Sequence, residues 1–135
     1  MVSPDSLIMG PLDELFGGWD VLFLTRRKPK PIVNSVIAFQ PSERLAKLWD
    51  RFIAHSKGLD AKSLEWGADI DALVSYMSIQ PLENCTRMID DVRVRFMPMH
   101  TVFTSVDRGG ARPSTPIWDF KGSRKSLMAR HAAIL

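Results

Sequence analysis

The run Ile117-Trp118-Asp119-Phe120-Lys121-Gly122-Ser123-Arg124-Lys125 gathers the residue types best suited to chemistry in this chain. An apolar, strand-like stretch ends in the carboxylate of Asp119, Gly122 supplies a turn, and Arg124 and Lys125 fall where a helix begins. Backbone N–H groups at a helix start, together with Lys or Arg, are suited to hold phosphate oxygens. A carboxylate a few residues upstream can hold a divalent cation against the same phosphates. The arrangement suits a diphosphate and its metal, with Asp119 toward the metal and Gly122 and Lys125 toward the phosphate. The plain alternative is a surface salt bridge between Asp119 and Lys125, since strand-turn-helix junctions with a Lys are common.

Other reactive side chains are sparse. Cys85 is the only cysteine and has no His beside it in sequence, so thiol catalysis is not expected. His100, after Met97-Pro98-Met99, reads as an exposed or hydrogen-bonded loop residue rather than a ligand, and His55 and His131 read as solvated. Arg26-Arg27-Lys28-Pro29-Lys30 and residues 121–130 form two basic clusters, which could meet the phosphates of a nucleotide or nucleic acid. Their plain reading is a solvated loop and a solvated helix face. No Gly-Arg repeat, zinc pattern or RNA-binding aromatic signature makes nucleic acid the leading partner.

The elements that must position these groups come from a chain of 135 residues, enough for one domain. Its 45% apolar and 24% charged residues are those of a globular protein with a proper core, which argues against disorder. No apolar run is long enough to cross a bilayer, and the first residues lack the basic start of a secretion signal. With a single cysteine no internal disulfide can form, and a reducing, cytoplasmic setting fits best.

Strands are expected at 7–9, 19–25, 32–39, 92–97, 101–105 and 117–120, with one helical turn at 12–16. Gln40-Pro41-Ser42 signals a helix start. Leu45, Leu48, Trp49, Phe52 and Ile53 then repeat at i, i+3, i+4, i+7 and i+8 as one apolar stripe, and Lys57-Gly58 ends the helix. A second helix is expected at 68–78, with Ile70, Leu73, Val74 and Met77 inward, and a last one from 123. Residues 107–116 are Gly- and Pro-rich and long enough for a flap. Trp19, Trp49 and Trp66 read as core anchors; Trp118 could line a sugar face, although burial in the last strand is the simpler reading. The interleaving argues for a mixed or α/β domain.

Four stretches in this order resemble nucleotide-diphospho-sugar glycosyltransferases of the A-type fold. Asp5-Ser6-Leu7-Ile8-Met9-Gly10-Pro11-Leu12-Asp13-Glu14-Leu15-Phe16 resembles the segment at and after their Asp-x-Asp motif. Ile32-Val33-Asn34-Ser35-Val36-Ile37-Ala38-Phe39 resembles their Asn-Ser-Gly-Val-Ile strand. Trp66-Gly67-Ala68-Asp69-Ile70-Asp71-Ala72-Leu73 resembles their Trp-Gly-x-Asp-Gln helix start, and Asp119-Phe120-Lys121-Gly122-Ser123-Arg124-Lys125 their closing His-Phe-x-Gly-x-x-Lys motif. The resemblance implies an α/β, mixed-sheet fold flanked by helices, and a hexosyltransferase-like activity if catalysis is kept. It implies Mn2+ or Mg2+ on Asp5 and Asp119, Asn34 and Ser35 facing the sugar, Asp69 as the catalytic residue on the acceptor side, and Gly122 and Lys125 on the diphosphate. A hard cation and a Lys stabilise the negative charge on the departing diphosphate.

The chain also departs from that pattern. Ser3-Pro4-Asp5 lacks the first carboxylate of Asp-x-Asp, Val36 stands where the family has Gly, Ile70 replaces Gln, and Asp119 replaces the closing His. Asp119 can still offer oxygen to Mg2+ or Mn2+. The family places a nucleotide-binding β-α-β region before the Asp-x-Asp motif, so this sequence is expected to be a truncated fold, the acceptor-side half. Without a donor wall, catalysis is expected to be lost unless another chain supplies that half. Uncovered sheet would then favour a homodimer. The competing expectations are a non-catalytic structural or interaction protein on the same scaffold, and a basic nucleic-acid-binding protein.

Overall fold

The computed structural model describes Val2, residues 6–27, 30–58, 68–106 and 114–120, Met128 and Ala132, the side chains of Asn34 and Ser105 excepted. In chain order its elements are β1 (Ser6–Ile8), β2 (Val21–Thr25), β3 (Ile32–Phe39), α1 (Glu43–Lys57), α2 (Ala68–Met77), β4 (Cys85–Ile89), β5 (Val92–Pro98), β6 (Phe103–Ser105) and β7 (Ile117–Asp119). Short 3₁₀ turns at Asp13–Leu15 and Met99–Thr101 join them.

Strand β2 decides the architecture because all five of its residues are buried, so both of its faces need cover. It lies inside a four-stranded sheet of order β3-β2-β5-β4, antiparallel to β3 and parallel to β5. On one face Val21 and Phe23 pack with Leu45 and Leu48 of α1 and Leu73 and Met77 of α2. On the other, Leu22 and Leu24 pack with Phe103 and Ile117 of a second sheet, of order β1-β7-β6. The result is three layers: two helices, four strands, three strands. A mixed α/β class follows directly, and no helix among the described residues is long and apolar enough to cross a membrane.

Helix α1 forms as its stripe requires. The Ser42 hydroxyl accepts from the Leu45 N–H at 3.2 Å, an N-cap that satisfies one otherwise orphaned donor. Trp49 meets Phe23 and Phe52 edge-on at 6.1 and 5.8 Å. Ile53, expected in the stripe, is 47% exposed. Helix α2 ends in a Schellman arrangement: the Ile79 N–H bonds the Val74 carbonyl at 3.1 Å, the Ser78 N–H bonds that of Ser75 at 3.3 Å, and Ser78 takes φ 51°.

Two features of the larger sheet were not expected. Strand β4 pairs with β5 through the two-residue turn Asp90-Asp91, whose φ angles of 49° and 65° are those of a type I′ hairpin. Strand β3 occupies 32–39 as expected, but its ladder is interrupted: Phe23 pairs with Ile37 while Leu24 pairs with Val33. Asn34, Ser35 and Val36 therefore step out of register with β2, and Val36 bridges to Val2 instead. Irregularities of this kind re-aim side chains and are frequent beside functional sites. The expected strand 101–105 shortens to Phe103–Ser105 behind the 3₁₀ turn. The expected last helix falls mostly outside the described residues, as does most of the Gly- and Pro-rich loop.

Candidate functional site

Strand β7 ends in Asp119, whose side chain belongs to a residue only 1% exposed. Trp118 and Phe120 on either side pack with Val106 in a small apolar cluster, and the Trp118 indole N–H donates to the Thr115 carbonyl at 2.8 Å. The Thr115 hydroxyl in turn donates to that of Thr104 at 2.9 Å, tying the segment before β7 to β6. Strand β6 runs parallel to β7 on one side, and the Val106 N–H donates to the Asp119 carbonyl at 2.9 Å.

Strand β1 flanks the other side, antiparallel, with Ser6 directly across from Asp119. The Ser6 hydroxyl donates to Asp119 Oδ1 at 3.3 Å. A carboxylate removed from water is costly unless strong donors or a cation offset the lost hydration.

The N-terminal stretch links two of the expected motifs. Val2 bridges Val36 beside Asn34 and Ser35, and Ser6 lies against Asp119. Ser35 is buried at the step in β3; the Asn34 side chain, Asp5, Gly122 and Lys125 lie outside the described residues. Asp69 is exposed in the first turn of α2, where a negative charge suits the helix dipole. It belongs to the helical layer, and Asp119 to the three-stranded layer beyond the four-stranded sheet. Among the described residues no group of three His, Cys, Asp or Glu side chains comes together to hold a metal.

The remaining candidates take structural roles. In the first basic cluster Arg26 Nε donates to the Lys30 carbonyl at 3.0 Å, and burial pulls the Arg26 guanidinium below its ordinary pKa. Lys30 pairs with Asp71 of α2, and Arg27 is exposed. His100 is exposed in its 3₁₀ turn. His55 is not solvated as expected: its ring lies 5.4 Å from that of Tyr76, because α1 and α2 close over it. The Cys85 thiol donates to Glu83 Oε1 at 3.1 Å, and burial and that carboxylate both push its pKa up, away from nucleophilic use.

Three polar groups that no motif announced hold the sheet together. Asp20 is 5% exposed, accepts the Arg93 N–H at 2.7 Å and pairs with Arg44. Arg87 lies 2.9 Å from Glu83, donates to the Met77 carbonyl at 2.7 Å and sits 4.7 Å over the Phe96 ring. Tyr76 donates to Asp90, which also pairs with Arg51 at 3.3 Å. Their only sequence signals are a lone acid before an apolar strand and charges at alternate positions beside one.

A cleft of about 450 Å³ opens at the other end of β7, between Met9–Pro11, Asp13, Glu14, Thr101 and Trp118. Of the stretches singled out from sequence, the one running from Asp5 to Phe16 contributes to its lining, together with Trp118. The Thr101 and Thr115 hydroxyls and the Trp118 N–H already have protein partners. No family model, no curated protein and no solved structure matches this chain.

Proposed function

We propose that this chain is a glycosyltransferase-like domain of the A-type fold that engages a nucleotide-diphosphate sugar through a divalent metal. The observation that carries the reading is the β1–β7 pairing, which sets Ser6, the chain neighbour of Asp5, across from Asp119. The two stretches that resemble the Asp-x-Asp and closing motifs are about as far apart in sequence as the chain allows. Their pairing sets the two motif-like stretches side by side. The Val2–Val36 bridge adds the Asn34-Ser35 stretch to the same neighbourhood.

In this reading Asp119 and Asp5 would offer carboxylate oxygen, the donor type that suits a hard cation. Bound there, Mn2+ or Mg2+ would supply charge to the departing diphosphate. On the same reading Asn34 and Ser35 face the sugar and Lys125 meets the diphosphate, while Asp69, in the helical layer across the four-stranded sheet, takes no part in the same site.

Thermal shift tests the proposal. Manganese with UDP- or GDP-sugars should raise the melting temperature, by about 2.7 kcal/mol of added stability at a hundredfold excess over Kd. A flat response across the common nucleotide sugars, with manganese present, would reject it in favour of a non-catalytic interaction protein.

A further inference from the structure

We infer that the outer edge of β4, with the open face of the β4–β5 hairpin beside it, is a docking surface for an extended acidic segment of another protein. Strand β4 ends the four-stranded sheet, with β5 on its one side. The two-residue turn makes Ile89 and Val92 a hydrogen-bonded pair, and alternation along the ladder makes Arg87–Val94 and Cys85–Phe96 the next two. The backbone N–H and carbonyl groups of Thr86 and Met88 therefore point away from β5. Beyond that edge neither residue has a hydrogen-bond partner among the described residues, and Met88 is 63% exposed. Open edges are usually blunted by Pro, Lys, a bulge or an inward-turned charge. The register of β4 with β5 runs unbroken from Cys85 to Ile89, and the strand's one charge, Arg87, turns to the helix side, where Glu83 and the Met77 carbonyl hold it.

Charge decides the occupant. Thr86 stands across from Arg95 and Met88 across from Arg93, so these side chains share the face turned away from the helices. Arg95 donates to the Asn84 side-chain carbonyl, and neither Arg93 nor Arg95 has a carboxylate partner among the described residues. Two such guanidinium groups beside an open ladder favour Glu or Asp on an incoming strand, which accept their charge-assisted bonds. A second copy of the chain fits less well. Antiparallel pairing through both free positions sets Thr86 against Met88 of the copy, and so Arg87 directly against its own copy, where like charges are destabilising. On the helix side an added strand would lie beside half-buried Cys85 and Ile89, which suit apolar residues. The segment that fits alternates acidic with apolar residues and pairs its backbone with Thr86 and Met88, as in recognition by strand addition. Neither metal nor sugar enters this docking, so its failure leaves the reading above untouched.

Fluorescence anisotropy of a labelled peptide of alternating Val and Glu, titrated with the whole chain at low salt, tests the docking. Matching peptides carry Lys in place of Glu, or N-methyl groups on the residues whose N–H would face β4. The expected result is binding of the unmethylated Val-Glu peptide alone, with hydrogen exchange at the Thr86 and Met88 N–H fast in the free chain and slowed in the complex. The double variant Arg93→Gln, Arg95→Gln should bind about fivefold more weakly, and added salt should weaken the natural complex. Met88→Pro removes an outward N–H, a change an edge strand accommodates, and should abolish binding at an unchanged melting temperature. Should that variant fail to fold, the N-methylated peptide puts the same question to the natural chain. Equal binding of the Lys peptide, or undiminished binding by R93Q/R95Q, would overturn the acidic partner. Retained binding of the N-methylated peptide would overturn strand addition, and no binding by the natural chain would overturn the docking surface altogether. A natural chain that is dimeric by light scattering, and monomeric as M88P, would give the edge to a second copy and overturn the proposal as well.

Discussion

Replacing Asp20 by Ala should unfold the sheet more readily than any other single change of a polar residue described above. Asp20 stands at the entry to β2 and ties three strands: its N–H donates to the Arg93 carbonyl and its carbonyl accepts from the Gln40 N–H, both at 2.8 Å, while its carboxylate accepts from the Arg93 N–H at 2.7 Å. The backbone bonds survive the substitution, but the carboxylate does not. The Arg93 N–H then loses its acceptor at a part-buried position, at a cost of about 1–3 kcal/mol. The ion pair with Arg44 is lost as well; that side chain is 52% exposed, so it adds only about 0.5–1 kcal/mol. The sum is about 2–4 kcal/mol. Asp20→Asn keeps an acceptor for the Arg93 N–H and should lose only the smaller part. Urea unfolding read by tryptophan fluorescence gives both numbers. Equal losses in D20A and D20N would refute the reasoning, since they would show that charge rather than the buried acceptor matters.

Tyr76 is the only tyrosine, so its titration can be read directly by absorbance. Burial, and then the bond and charge of Asp90, push its pKa up to about 12 from 10.0. The neutral phenol is favoured by the fold, so this contribution is whole below pH 10 and disappears toward pH 12. Asp90 is held below the ordinary carboxylate range chiefly by the Tyr76 hydroxyl, so its own contribution is present above about pH 4 and lost on acidification. Asp90→Asn should move the phenol midpoint back toward 10, and a natural midpoint near 10 would defeat the assignment. Ser78→Gly removes a side chain from a left-handed C′ position and should stabilise by about 0.5–1 kcal/mol; a lower urea midpoint would count against the Schellman ending. Asp91→Gly should stabilise the type I′ turn by a similar amount, about 0.5–1 kcal/mol, without touching the Asp90 pairings, and differential scanning calorimetry would show it.

The sequence carried local structure well and long-range structure poorly. Helix α1 was legible because its stripe and Ser42 cap are local signals, and β3 because its composition is that of a buried strand. Strand β4 was not, since Arg87 points to the covered side and reads as a loop residue. It is tolerated there only because Glu83, the Met77 carbonyl and the Phe96 ring surround it, and none of these is a pattern in the strand itself. The division into two sheets was hidden for the same reason: pairing of β1 with β7 and of β2 with β5 is decided by distant segments. At the candidate site, the carboxylate at the end of the last strand was visible as a residue type. Its Ser6 partner was not, because that residue lies 113 positions away in the chain.

That meeting of the two chain ends has a kinetic side. Ser6 and Asp119 are 113 positions apart, and closing a loop of that length on a flexible chain costs about 4 kcal/mol of entropy. Contacts so distant are late to reward the folding chain. The four-stranded sheet can assemble from residues 21–98 first, and the ends are then gathered onto a formed platform. The pocket-forming strands are consequently the last to arrive, and under mild denaturation the first to leave.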